Sequence, residues 1–216
     1  MKMRIASLSL LALCLTLAAV PAMADTVYDN GPINGNTDAW TINFGYIVSD
    51  TFTVGGSGAT VNGISFGVWL FPGDVVSSVD VSITSDEFGG TSYFSGTVAL
   101  TQTNISTNGF GYQIASETGS FADTNLGAGT YWINLQNAST ANGDPIYWDE
   151  NSGPSSASES AIGTVPSEAF TVLGSGTTTT TSTSTSTTGP TPEPSSIMLF
   201  GSGILGLAGL LRRKLF

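Results

Sequence analysis

The chain has 216 residues and a formal net charge of −11, from five Lys or Arg, sixteen Asp or Glu and no His. Lys2 and Arg4 open it and Arg212, Arg213 and Lys214 nearly close it. Every acidic residue except Glu193 lies between Asp25 and Gly174, a stretch without a single cation or cysteine. Such a stretch cannot neutralise phosphates, which excludes nucleic acid as a partner; it also has no imidazole base, no thiol nucleophile and no ordinary zinc ligand set.

In chain order, residues 1–24 read as a signal peptide. Lys2 and Arg4 precede an apolar run over residues 5–20, and Ala22-Met23-Ala24 supplies the small-x-small pattern of a cleavage site, so Asp25 is the expected mature N-terminus after export through the secretion translocon. The run is shorter than the roughly 20 residues a stable membrane span prefers. The one cysteine, Cys14, lies inside it, so the mature domain has to hold together by its core and without disulfides.

Residues 25–174 read as an all-β domain, an antiparallel β-sandwich or jelly roll. Trp40, Ile42, Phe44, Tyr46 and Val48 alternate with Thr41, Asn43, Gly45 and Ile47, which predicts one strand with a large apolar face. Further strands are expected over residues 50–54, 59–71, 78–84, 91–100, 110–116, 129–136, 145–148 and 168–173. Within them Val79, Val81 and Ile83 alternate, as do Tyr131, Ile133 and Leu135. Asn62-Gly63, Gly89-Gly90, Asn108-Gly109 and Asn142-Gly143 fall at turn or bulge positions. Many short strands without helical periodicity favour two packed antiparallel sheets.

The densest chemical cluster is Tyr147-Trp148-Asp149-Glu150, a candidate glycan-binding site in which rings stack on sugar faces and carboxylates bind hydroxyls. Asp144, Asp149, Glu150 and Asn151 form a second candidate, oxygen ligands for Ca²⁺, which accepts carboxylates and carbonyls in flexible geometry, although their spacing is not that of an EF-hand. The third reading is a strand end whose aromatics face the core and whose acids are solvated. Trp40, Trp69 and Trp132 sit in alternating runs, where core packing is the expectation. No cofactor beyond the Ca²⁺ candidate is implied. A glycosidase needs two carboxylates at a suitable separation, and no pair stands out. The expectation is therefore a non-enzymatic protein, with a carboxylate-dependent carbohydrate hydrolase and a ligand-free structural surface protein as the alternatives.

Residues 175–190 form a linker in which every residue from 177 to 188 is Thr or Ser; it has nothing apolar to bury and is expected to be a disordered stalk. Residues 191–216 place Pro192-Glu193-Pro194 ahead of an apolar run over residues 197–211 and then Arg212-Arg213-Lys214. That order predicts a membrane-spanning helix with its cations on the cytoplasmic side. The glycines of Gly201-Ser202-Gly203-Ile204-Leu205-Gly206 fit a dinucleotide pattern by letter only, since no strand–helix unit surrounds them.

These last residues resemble the PEP-CTERM sorting signal. The resemblance implies an exosortase as processing partner, a transient membrane anchor before processing, and delivery to the surface or extracellular matrix of cells that make exopolysaccharide and biofilm. Phe66-Gly67-Val68-Trp69-Leu70-Phe71-Pro72-Gly73-Asp74, Gly129-Thr130-Tyr131-Trp132-Ile133-Asn134, Gly143-Asp144-Pro145-Ile146-Tyr147-Trp148 and Pro166-Ser167-Glu168-Ala169-Phe170-Thr171 resemble blocks of an uncharacterised exported family that carries this signal. Members of that family often have cysteines near residues 153–160, and this chain has none. That resemblance supplies a location and no activity; the role expected of an exported domain of this composition is structural or adhesive, with extracellular polysaccharide as the candidate partner.

Overall fold

Alternating apolar residues bring strands together only where both faces of the backbone ladder are provided for, and here twelve strands do so. They are β1 (Asp25–Asp29), β2 (Ala39–Thr41), β3 (Ile47–Val54), β4 (Ala59–Leu70), β5 (Val76–Asp86), β6 (Gly89–Thr107), β7 (Gln113–Leu126), β8 (Gly129–Thr140), β9 (Tyr147–Asp149), β10 (Ala157–Glu159), β11 (Gly163–Val165) and β12 (Phe170–Gly176). This computed structural model describes residues 25–176, and the expected signal peptide, most of the linker and the sorting helix lie outside them. No helix occurs among the described residues.

The strands pair antiparallel in the order β1-β12-β4-β7-β6-β5-β8-β3-β10-β11, with β9 between β2 and the end of β4. The long β6 gives the curl: residues 89–99 pair with β5 and residues 100–107 with β7, so one strand serves both layers. The fold is the expected sandwich-like antiparallel one, built as a single sheet curled on itself. Where β6 and β7 part, Phe94 and Phe121 stack at 4.3 Å against the core and close that side.

Val79, Val81 and Ile83 of β5 and Tyr131, Ile133 and Leu135 of β8 all face the core, as their period of two requires. The run from Trp40 to Val48 departs from expectation. It is broken between β2 and β3 by Phe44 and Gly45 at φ 56° and 88°, left-handed conformations that end a strand, and Phe44 is 63 % exposed. The buried Asn43 side chain supports this turn, its Nδ2 donating to the Asp144 carbonyl (2.9 Å) and its Oδ1 accepting from the Ile146 amide (3.3 Å). β12 continues to Gly176, two residues into the expected linker.

Carboxyl groups are buried in this core without a cation to pair them. Asp50 has its Oδ2 2.8 Å from the Glu168 amide and its Oδ1 2.6 Å from the Thr51 amide; burial pushes it up to about 7 against these hydrogen bonds. Glu117 and Glu168 are fully buried and their carboxyl oxygens meet no hydrogen-bond partner within the protein. Burial pushes Glu117 up to about 8, and burial together with the nearby Asp50 and Glu150 charges pushes Glu168 well above the usual range.

A carboxyl raised in the folded state keeps a proton that the unfolded chain has already released. Its stabilising share is therefore complete below the unfolded pKa and is lost as pH rises through the folded value. The melting temperature should fall steadily from pH 5 to pH 8, by at most about 1.4 kcal/mol of stability per pH unit for each of Asp50 and Glu117. Glu117→Gln should raise the melting temperature at pH 8 and leave it nearly unchanged at pH 5. A melting temperature that climbs with pH would contradict this account.

Candidate functional site

β9 divides the dense cluster by strand alternation. Trp148 points inward and is 0 % exposed, with the Phe66 and Phe170 rings at 6.1 and 5.6 Å and its Nε1 donating to the Ala169 carbonyl at 3.0 Å. It offers no face to a sugar, which removes it from the expected glycan set. Tyr147 and Asp149 point outward. The Asp149 carboxylate is enclosed: Oδ2 accepts the Asn34 amide (2.8 Å), and Oδ1 accepts the Gly35 amide (2.9 Å) and Trp69 Nε1 (2.5 Å). Burial raises its pKa and these three donors work the other way.

The remaining candidates turn to separate partners. Glu150 Oε2 accepts Trp40 Nε1 at 3.1 Å; burial lifts its pKa against that bond, with the Asp38 and Asp149 charges adding to the rise. Asn151 donates to the Asn30 carbonyl (2.9 Å) and accepts from the Gly153 amide (2.8 Å). Asp144 is tied through its backbone amide to Thr140 Oγ1 (3.2 Å). The calcium candidates Asp144, Asp149, Glu150 and Asn151 thus do not converge, and among the described residues no group of three or more His, Cys, Asp or Glu is arranged to hold a metal ion.

What does converge is a set of aromatic residues on the outer face. Trp69 of β4 pairs with Tyr147 on one side and Ile114 on the other, which puts Trp69, Tyr147 and Tyr112 on one surface. Phe110 stacks on Trp69 at 5.8 Å and 22°, Tyr112 lies 5.8 Å from Trp69 and 5.7 Å from Tyr147, and Phe71 lies 5.4 Å from Tyr112. Phe110 is 69 % exposed and Phe71 41 %. Asp38, Ala39, Trp69, Tyr112 and Tyr147 line a cleft of about 140 Å³. Burial and the neighbouring Tyr112 hydroxyl raise the pKa of Tyr147.

The segment between β1 and β2 walls this face. It approaches closely because Gly67 and Gly35 lack side chains: a Cβ at Gly67 would sit 2.9 Å from Ile33 and one at Gly35, where φ is 63°, 2.7 Å from Ile114. Of the expected glycan residues only Tyr147 is presented in the cleft. Asp38, Phe71, Phe110 and Tyr112 went unrecognised in the sequence, whereas Trp69 is buried as expected, 6 % exposed, with its indole N–H turned to Asp149. The available signal was a pair of aromatics two residues apart beside a turn, Trp69 with Phe71 and Phe110 with Tyr112.

The described domain is an antiparallel sandwich-like module with an outward aromatic cleft and no basic residue. The chain that carries it matches the family model of the PEP-CTERM protein-sorting motif over residues 190–214, which include Pro192, Glu193 and Pro194. The chain therefore carries a PEP-CTERM sorting signal, which implies processing by an exosortase, export and sorting to the cell surface. Among curated proteins none matches this chain.

Two outcomes follow. Asp149→Asn sets an amide NH₂ against backbone N–H donors, so it should lower stability by about 1–3 kcal/mol and speed hydrogen exchange at the Asn34 and Gly35 amides; unchanged exchange there would detach the carboxylate from the loop. Mass spectrometry of the surface fraction should find a chain that starts at Asp25 and lacks residues 212–216, whereas an intact C-terminus would contradict processing.

Proposed function

We propose that this exported surface protein is a non-enzymatic adhesive or structural component of the extracellular matrix, and that its β domain binds polysaccharide at the cleft lined by Asp38, Trp69, Tyr112 and Tyr147. The observation that carries the reading is the direction in which the aromatics point. Phe71, Phe110, Tyr112 and Tyr147 pack with the buried Trp69 on the outer face of the sheet, with Phe110 and Phe71 left open to solvent. Flat apolar rings with hydroxyls at their edges suit the C–H faces and hydroxyls of a sugar ring, and Asp38 adds an exposed acceptor at the rim.

Binding is favoured over hydrolysis by the state of the carboxylates. Glycoside hydrolysis uses two of them flanking the bond. Asp38 is the one carboxylate among the residues that line the cleft, and Asp149 behind it is taken up by its three N–H donors.

The test is binding of the processed protein to the exopolysaccharide of its host. Tyr147→Ala and Phe110→Ala should each weaken it roughly ten-fold, the scale of one lost aromatic contact, and the exposed Phe110 should be replaceable with little change in melting temperature. Absence of binding would leave a ligand-free structural protein; release of reducing sugar would make it a hydrolase.

A further inference from the structure

We infer that the cleft takes an ammonium group, so that the polysaccharide bound is one carrying free amino sugars; this rests on reading the cleft as a glycan site. The cleft is lined by the rings of Tyr112 and Tyr147 and by the buried Trp69, set at angles to one another, 43° between Trp69 and Tyr112 and 78° between Tyr112 and Tyr147, around an opening of about 140 Å³. That is small beside the roughly 300–1,000 Å³ of sites that enclose a drug-sized ligand, and it suits one substituent of a sugar better than a whole disaccharide. Aromatic faces attract cations through their negative quadrupole, most strongly where water is displaced.

The charge around the cleft points the same way. Asp38 lines it, and Asp149 and Glu150 follow Tyr147 directly in the chain. Burial lifts the pKa of Glu150, and the Asp38 and Asp149 charges add to the rise against the Trp40 hydrogen bond, so the carboxylates beside the cleft act on one another without a cation among them. No Lys, Arg or His lies between Asp25 and Gly174 to compete for the carboxylates or to receive an anionic sugar. A uronate, sulfate or phosphate substituent would meet the like charge of Asp38 with no cation to offset it, a neutral acetamide would gain nothing from Asp38, and a protonated amine gains from both rings and carboxylate.

The experiment measures binding of the processed protein at about pH 6 and physiological salt to tetramers of glucosamine, N-acetylglucosamine and glucose, and to tetramethylammonium chloride. Glucosamine tetramer should bind roughly ten-fold or more tightly than its acetylated counterpart, and tetramethylammonium should displace it. Asp38→Asn should remove most of that preference. Asp123→Asn, the same charge change at an exposed position toward the other end of β7, should leave it intact. Equal affinity for the amine and acetylated tetramers, both weakened by Tyr147→Ala, would overturn the ammonium inference and leave the glycan site standing. A preference lost equally in the two Asp variants would be general charge attraction and would also overturn it. Binding of tetramethylammonium without any tetramer would retain the ammonium pocket and overturn the glycan reading; binding of none of the four would overturn both.

Discussion

The Asp149 carboxylate holds three parts of the domain together. It sits at the end of β9, accepts two backbone amides from the segment between β1 and β2, and accepts the indole N–H of Trp69 on β4. In most proteins a buried carboxylate has an Arg or Lys to turn to. Here none exists between Asp25 and Gly174, so a carboxyl that leaves water must either gather N–H donors or keep its proton. Asp149 takes the first course and thereby fixes both the floor of the cleft and the loop that walls it. Glu117 and Glu168, without a hydrogen-bond partner on either oxygen, take the second.

The same constraint decides what was legible in the sequence. Strand alternation reports which residues share a face, and for Val79, Val81 and Ile83 that was enough to place them in the core. Alternation cannot report a turn made from residues that also alternate, and Phe44 and Gly45 in left-handed conformations broke the apparent strand from Trp40 to Val48. The export and sorting signals are local in sequence, and the sorting motif was readable for that reason. The cleft is not local. Its residues come from the edge of β2, the end of β4, the hairpin between β6 and β7, and β9, and only the register of Trp69 with Tyr147 and Ile114 unites them.

The cluster at β9 was visible as chemistry and misleading as geometry for one reason, the period of two. Adjacent residues in a strand belong to opposite faces, so Tyr147 and Trp148 cannot both meet a ligand. Their assignment depends on the register of β9. The Trp148 indole reaches the Ala169 carbonyl from inside, and the Asp149 carboxylate holds Asn34 and Gly35 from outside. A slip of one residue would expose Trp148, bury the Tyr147 hydroxyl and strand the Asp149 carboxylate in the core without donors, a set of costs that all fall on the wrong register. Core packing and cleft geometry therefore have a common determinant.

The carboxylates sort into three kinds by their surroundings, and only one kind can meet a ligand. Asp149 is fully buried and held by three fixed N–H donors. Glu117 and Glu168 are sealed in the interior. Asp38 is exposed and belongs to the cleft, its backbone carbonyl accepting the Glu150 amide and its carboxylate accepting the adjacent Ala39 amide, each at 2.9 Å. The excess of negative charge, which looks like a uniform property in the composition, thus reaches the binding face mainly through one side chain backed by aromatic rings. In the proposed binding role, a surface built in this way would separate ligands by charge at the rim and by shape at the rings, and it would need no catalytic group to do either.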